Sequence, residues 1–232
     1  MGAFPRHLHT KTSQMTPPPK VTHALSVREP WAWALTTGIK SVENRTWPFP
    51  AGRHPLPAWI AIHASLSYDY LDDDSDDICC VHPMIGPAMK DDRPGRSFGR
   101  SEIVGVVKVV ACFDQTGIDD EPMTDEVADR ITAAIAHPMS CRMASEIDVL
   151  EWPCGDGFAW VIGDCYRFLR PIVCVGRLNV WSMPSDLQRL VATELKAAMA
   201  VQSESIDRGR PFDASVVHQL PKVSKKQLAI YG

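Results

Sequence analysis

The sequence predicts a mainly β chain of the α+β class, with helices flanking a strand-built core. Three observations predict it. Ile103 to Phe113, IVGVVKVVACF, is an almost unbroken run of β-branched residues, whose stiff side chains favour extended backbone. Shorter runs of the same kind, Trp59–His63, Phe158–Ile162 and Cys165–Val175, are set apart by segments rich in Pro and Gly. Two stretches, near 124–136 and 182–202, carry apolar residues at helical spacing. A length of 232 residues with 45% hydrophobic content suits one domain with extensions and a real core.

Residues 1–23 hold Arg6, Lys11 and Lys20, no acidic residue, and the run Pro17 to Pro19, so they read as a disordered arm. A mitochondrial transit peptide is the alternative, because such segments also lack acids, although Arg6 is the only arginine there. Myristoylation is not indicated, since Arg6 stands where Ser or Thr is wanted. The next stretch, LSVREPWAWALTTGIKSVENRTW from Leu25 to Trp47, organises the rest. Pro30 suits a first helical position, having no N–H to lose, and Gly38 suits a helix stop with easy access to positive φ, leaving a helix of about two turns. Lys40, Glu43 and Arg45 follow that stop. If the chain then enters a strand, alternation puts Glu43 and Arg45 on one face with Lys40 nearby, a polar cradle instead of a core. The free N–H groups at the start of the helix, near Trp31 and Ala32, form a second candidate anion site.

Pro48, Pro50, Gly52, Pro55 and Pro57 mark a reversing loop, and Trp59–His63 then reads as a strand with Trp59, Ala61 and His63 on one face. YDYLDDDSDD, from Tyr68 to Asp77, reads as a solvated acidic insertion, because the glycine and the final glutamate of a calcium loop are absent. Cys79, Cys80 and His82 lack the spacing and the fourth ligand of a zinc site. No metal or other cofactor is expected. After the Ile103–Phe113 strand, Thr124 caps a surface helix to about Ala136, with Val127, Ile131 and Ile135 as its apolar stripe. Gly163-Asp164 is compatible with a tight hairpin turn between Phe158–Ile162 and Cys165–Val175, and Pro171 should sit at an edge or bulge. Trp152 and Trp160 read as packing residues, with base stacking as the alternative, and Trp181 reads as core closure. Pro184 and Ser185 open a helix to about Gln202 whose stripe, Leu187, Leu190, Val191, Leu195 and Met199, either packs back on the core or meets a partner protein. The tail 203–232 is polar and basic.

Net charge is -4, which excludes a basic coat over the whole surface, so nucleic-acid contact would need a local patch. Seven irregularly placed cysteines suit a reducing, intracellular setting, cytoplasmic or nuclear, better than a disulfide framework. No apolar run of about eighteen residues exists, so no membrane partner is expected.

The order Leu-Ser-x-x-x-Pro-Trp-Ala, then Gly-Ile-Lys-x-Val-Glu-x-Arg-x-Trp, resembles the opening of the ASCH family, domains homologous to the C-terminal part of activating signal cointegrator 1. Ile62 to Ser65 sit where that family places its next strand end, Ile103 to Phe113 resembles its central strand, and Pro171, Gly176, Val180 and Trp181 resemble its closing strand. The resemblance spans roughly residues 24–182, with insertions near 66–100 and 114–155. It implies a PUA-like small β-barrel with flanking helices that binds RNA or another nucleic acid. It also places His63 beside the cradle, where it would offer a hydrogen-bond group to a base or sugar; by itself the residue reads equally as a satisfied core histidine. The candidate ligand-binding residues are therefore Pro30, Trp31, Lys40, Glu43, Arg45, Trp47, His63 and Ser65, and the expected partner is RNA, single-stranded nucleic acid or a modified nucleoside. Two alternatives stand beside this. Some relatives are amidohydrolases acting on N4-acylated cytidine with a lysine, a threonine three residues on, and a distant glutamate. Lys40 matches, but Glu43 occupies the threonine position, so Lys40 and Glu43 would be the candidate catalytic pair. The other alternative is a protein-interaction adaptor working through the helix at 185–201.

Overall fold

The computed structural model describes residues 17–68, 100–116, 125, 126, 129 and 157–207. The acidic run 69–77, Cys79, Cys80, His82, Trp152, most of the helix expected at 124–136 and the tail beyond 207 lie outside the described residues. In chain order the elements are β1 (His23–Glu29), α1 (Trp31–Thr37), β2 (Val42–Arg45), β3 (Ala58–Tyr68), β4 (Glu102–Asp114), β5 (Phe158–Val173), β6 (Val180–Ser182) and α2 (Ser185–Asp207). Just before β1, Val21 is already buried. The six strands form one mixed sheet in the order β2-β5-β4-β3-β1-β6. β1 and β3 run parallel, and the other pairings are antiparallel. The fold is thus mainly β with flanking helices. The hydrogen-bonded order has two ends, β2 and β6, and no pairing among the described residues joins them into a closed barrel.

Alternation along the strands makes two apolar layers. Ala24, Ala61, Ile103, Val106, Phe168 and Trp181 face one way, against Leu187, Val191, Leu195 and Ala198 of α2. Leu25, Ile62, Val104, Val107 and Trp160 face the other, against Ala32 and Leu35 of α1. The stripe of α2 is consequently spent inside this molecule. Each fully hidden Leu or Val there contributes about 1.5–3 kcal/mol of transfer free energy, and an ion pair of 2.7 Å between Arg170 and Glu194 fastens the same helix to β5. This corrects the adaptor reading of the helix at 185–201, since of its large apolar residues only Leu190 is exposed, at 39%.

Other expectations also meet a different outcome. Phe158–Val173 is one strand of 16 residues, with no hairpin inside it. Its partner β4 accommodates it through register shifts between Val107 and Val109 and between Ile103 and Gly105, and these breaks fall opposite Gly163-Asp164 and Pro171. Asp164 leaves the ladder there and reaches Lys108 at 3.4 Å. Gly and Asp serve a bulge as readily as a turn, which is why the sequence suggested the latter. Pro30 is the N-cap of α1, not its first helical residue, and the peptide before it is cis. Gly38 ends the helix as expected, at φ 79°, its N–H donating to Leu35.

Candidate functional site

Parallel strands cannot be joined by a tight turn, so the chain must cross over between β1 and β3. The crossover is α1 followed by β2. It lies close against the sheet because Gly105 on β4 has no side chain: a Cβ there would collide with the backbone oxygen of Tyr166 and with the Thr36 side chain of α1. The start of α1 is also closed. The carboxylate of Glu29, itself fully buried, accepts the Trp33 N–H at 2.9 Å. That corrects the helix-start anion site: an internal carboxylate already occupies it, and Pro30 is buried beside it.

Past Gly38 the chain delivers the charged cluster. The backbone N–H of Lys40 donates to Ala34 at 3.0 Å, which fixes where its side chain leaves the helix end. Its Nζ lies 3.5 Å from one Glu43 oxygen and 5.3 Å from the centre of the Trp31 ring. The other Glu43 oxygen meets Arg45 at 2.8 Å, and the same guanidinium nitrogen donates to the Ser26 carbonyl on β1 at 3.1 Å. Arg45 Nε is buried without a partner. Alternation on β2 brings Glu43 and Arg45 to one face, and the end of α1 delivers Lys40 beside them, with Glu43 at the centre. Behind Glu43 lie Leu25, Leu35 and Trp160, so its two oxygens are turned toward the cations.

In front of the cluster opens a cleft of about 560 Å³, within the range of small-molecule sites. Its walls are Ser26, Val27 and Arg28 of β1, Trp31 of α1, Lys40, Glu43, Asn44 and Arg45, Ser65 and Ser67 of β3, and Leu178. Of the expected residues, Trp31, Lys40, Glu43, Arg45 and Ser65 are brought together there. Trp47 lies one layer back, its ring 6.0 Å from the Arg45 guanidinium and edge-on to Trp160 at 4.8 Å. His63 does not line the cleft. It is 2% exposed, hydrogen-bonded through Nε2 to the Cys174 carbonyl at 3.1 Å and facing the Trp181 ring at 6.1 Å, and burial lowers its pKa. Gly176 passes so close that any Cβ there would strike the His63 ring. Its 3.3 Å contact with Ser26 Oγ links it to the cleft. Trp160 and Trp181 are buried packing residues, not stacking platforms.

Sequence reasoning missed Ser26, Arg28, Asn44, Ser67 and Leu178. The signal for the first two was present: in HALSVRE the polar Ser26 and Arg28 stand two apart in a strand-length segment. It also missed a charged group packed behind α1, in which Glu29 and Arg167 are buried and Glu102 is partly exposed. Arg167 of β5 is 6% exposed and donates to Thr36 Oγ1 at 3.0 Å, with Glu29 and Glu102 as the opposing charges. Burial pushes the Glu102 carboxyl up to about 7, against the opposing pull of Arg167 and of the Arg100 backbone N–H.

A family model for the ASCH domain matches residues 25–140, half of the 232-residue chain. The chain belongs to the ASCH domain family. That family is linked to RNA binding, and the matched span of this ASCH domain contains the whole Lys40–Glu43–Arg45 cluster, α1 and both cleft-lining serines of β3. Solved structures similar to it include an ASCH protein from Zymomonas mobilis, at 16% identity over 75% of this chain and 94% of that chain with a TM-score of 0.37. A tyrosine-to-phenylalanine variant of the Zymomonas mobilis protein is similar at 16% identity over 75% of this chain and 98% of that chain, TM-score 0.36. No curated protein matches the chain significantly. No helix among the described residues is long and apolar enough to cross a membrane.

Proposed function

We propose that this ASCH domain binds RNA, or a single modified nucleotide, in the cleft between β1, β3 and the crossover. One observation carries the reading: among the described residues, three cations, Arg28, Lys40 and Arg45, and one carboxylate, Glu43, line this cleft, in a chain whose net charge is -4. Such a concentration of positive charge in a concave, partly apolar site favours an anionic ligand. Arg45, whose side chain lines the cleft, would hold a phosphate or a polar base edge, and Trp31 beside Lys40 offers a stacking face. Ser26, Ser65 and Asn44 supply shorter polar groups for sugar or base. A PUA-like barrel and an intracellular setting belong to the same proposal and rest on the family and on the cysteine usage. The geometry does not favour the amidohydrolase alternative, because Glu43 has both oxygens engaged by cations and stands where the nucleophilic hydroxyl would be.

The test is a salt series of binding to short single-stranded RNA, with duplex RNA and DNA for comparison. The parent is set against Lys40→Gln/Glu43→Gln/Arg45→Gln, which removes the carboxylate together with its cations and so leaves no ion buried alone. Affinity of the parent should fall with salt, and the neutral variant, still folded by its melting curve, should bind at least about tenfold more weakly with a salt slope shallower by about one. A folded neutral variant that binds as tightly as the parent would overturn the reading.

A further inference from the structure

We propose that Leu178 is a specificity-determining residue of the cleft, an apolar surface against which an unpaired nucleobase packs, so that the site selects base-bearing nucleotides over phosphate alone. The inference rests on the cleft reading above and names what that site selects. Leu178 lines the cleft and is 90% exposed, the most exposed large apolar side chain among the described residues. A lone exposed leucine is ordinary surface. What sets this one apart is how firmly the backbone around it is held.

The chain from Cys174 to Asn179 links β5 to β6 and passes over His63 of β3 and Ser26 of β1. At its start, the Cys174 carbonyl accepts from His63 Nε2 at 3.1 Å and from Ser101 Oγ at 3.0 Å, and the Cys174 N–H donates to the Ser101 carbonyl at 3.0 Å. In its middle, Gly176 lies so close that a Cβ there would strike both the His63 ring and Ser26 Oγ. Directly before Leu178, the Arg177 carbonyl accepts from the Ser26 hydroxyl at 2.8 Å. Directly after it, Asn179 stands at φ 59°, a left-handed conformation that asparagine tolerates better than most residues, and Val180 then pairs with Leu25 of β1. A segment tied at this many points has little freedom to fold Leu178 inward, so the apolar surface stands ready before any ligand arrives. The cost of ordering it is met in folding and not in binding. His63, itself off the cleft, is then a positioning residue for Leu178. Leu178 offers neither charge nor hydrogen bond, so it favours the flat apolar face of a base and not a phosphate. In a duplex that face is covered by stacked neighbours, which leaves an unpaired base as the fit.

The experiment titrates the full chain with a short oligouridylate and with an abasic ribose-phosphate oligomer of the same length, each over a salt series. The parent should bind the base-bearing oligomer about fivefold or more tightly than the abasic one. Leu178→Ser, at an exposed position where the melting curve should not move, should lose that preference. Its affinity for the abasic oligomer and its salt slope should match the parent's, because no phosphate contact has gone. Leu178→Met, which keeps the apolar surface, should keep the preference. Gly176→Ala lies off the cleft and displaces the tied segment, so the folded variant should also lose preference with its salt slope unchanged. A parent that binds both oligomers alike, or a Leu178→Ser variant that retains the parent's preference, overturns the proposal. The neutral cradle variant separates the two ideas. If it loses affinity for both oligomers while Leu178→Ser follows the parent, the role of Leu178 fails and the cleft reading stands. If it binds like the parent, or if the parent binds neither oligomer, the cleft reading fails and this one with it.

Discussion

Glu43 sits at 5% exposure with a cation on each oxygen, and its worth depends on what is left when it goes. Glu43→Gln removes the carboxylate that both Lys40 and Arg45 contact, and Lys40 is as hidden as the carboxylate was. We expect a loss of about 2 kcal/mol in stability, tempered because Arg45 is partly exposed, together with tighter RNA binding at low salt because the cleft gains a net charge. Urea denaturation and a binding titration check the two halves, and a structural ion pair with no ligand role would move only the first. At this scale the sequence was informative about residues that cluster locally. Lys40, Glu43 and Arg45 lie within six positions, and strand alternation alone brings the latter two to one face. His63 stood open between cradle and core for a related reason. Alternation already grouped it with Trp59 and Ala61, which face α2, and only the likeness to the family set it beside the cradle. Arg167 was invisible because its partners, Glu29 and Glu102, come from strands far apart in the chain.

The crossover is the element on which site and fold meet, and Gly105 determines how near it comes to the sheet. Gly105→Ala would push Thr36 and α1 outward against a backbone oxygen that cannot yield. It should cost about 1–3 kcal/mol and lower RNA affinity as well, seen as a reduced melting temperature and a weaker titration. An alanine variant with parental stability would mean that α1 is not seated as tightly as the contact implies. Elements with strong local chemistry were legible: β4 from its β-branched run, α1 from Gly38, and α2 from its apolar stripe. Two were not. β5 was divided at Gly163-Asp164, since a two-residue signal cannot say whether the chain reverses or merely bulges. β1 went unassigned, because its parallel pairing with β3 depends on contacts more than thirty residues away.

For the molecule as a whole, the raised carboxyl of Glu102 has a measurable effect on unfolding. The folded chain holds the Glu102 proton up to about 7, whereas an ordinary carboxyl releases it near 4.5, so between those values the folded state binds more protons than the unfolded one. Stability contributed by this group is fully present below about pH 4.5, falls as the pH rises through 7, and levels off above that, a span of up to about 3 kcal/mol. Denaturation series at stepped pH should show that decline in the parent and its absence in Glu102→Gln. The segment that lines the cleft, α1 and β2, also lies on the path that joins β1 to β3. Under the proposed function, fold and recognition draw on one set of side chains. Variants selected for a new ligand would be expected to reveal themselves first as changes in expression level and heat tolerance, and compensating substitutions would be sought on β4 and β5, beneath the crossover, and not around the mouth of the cleft.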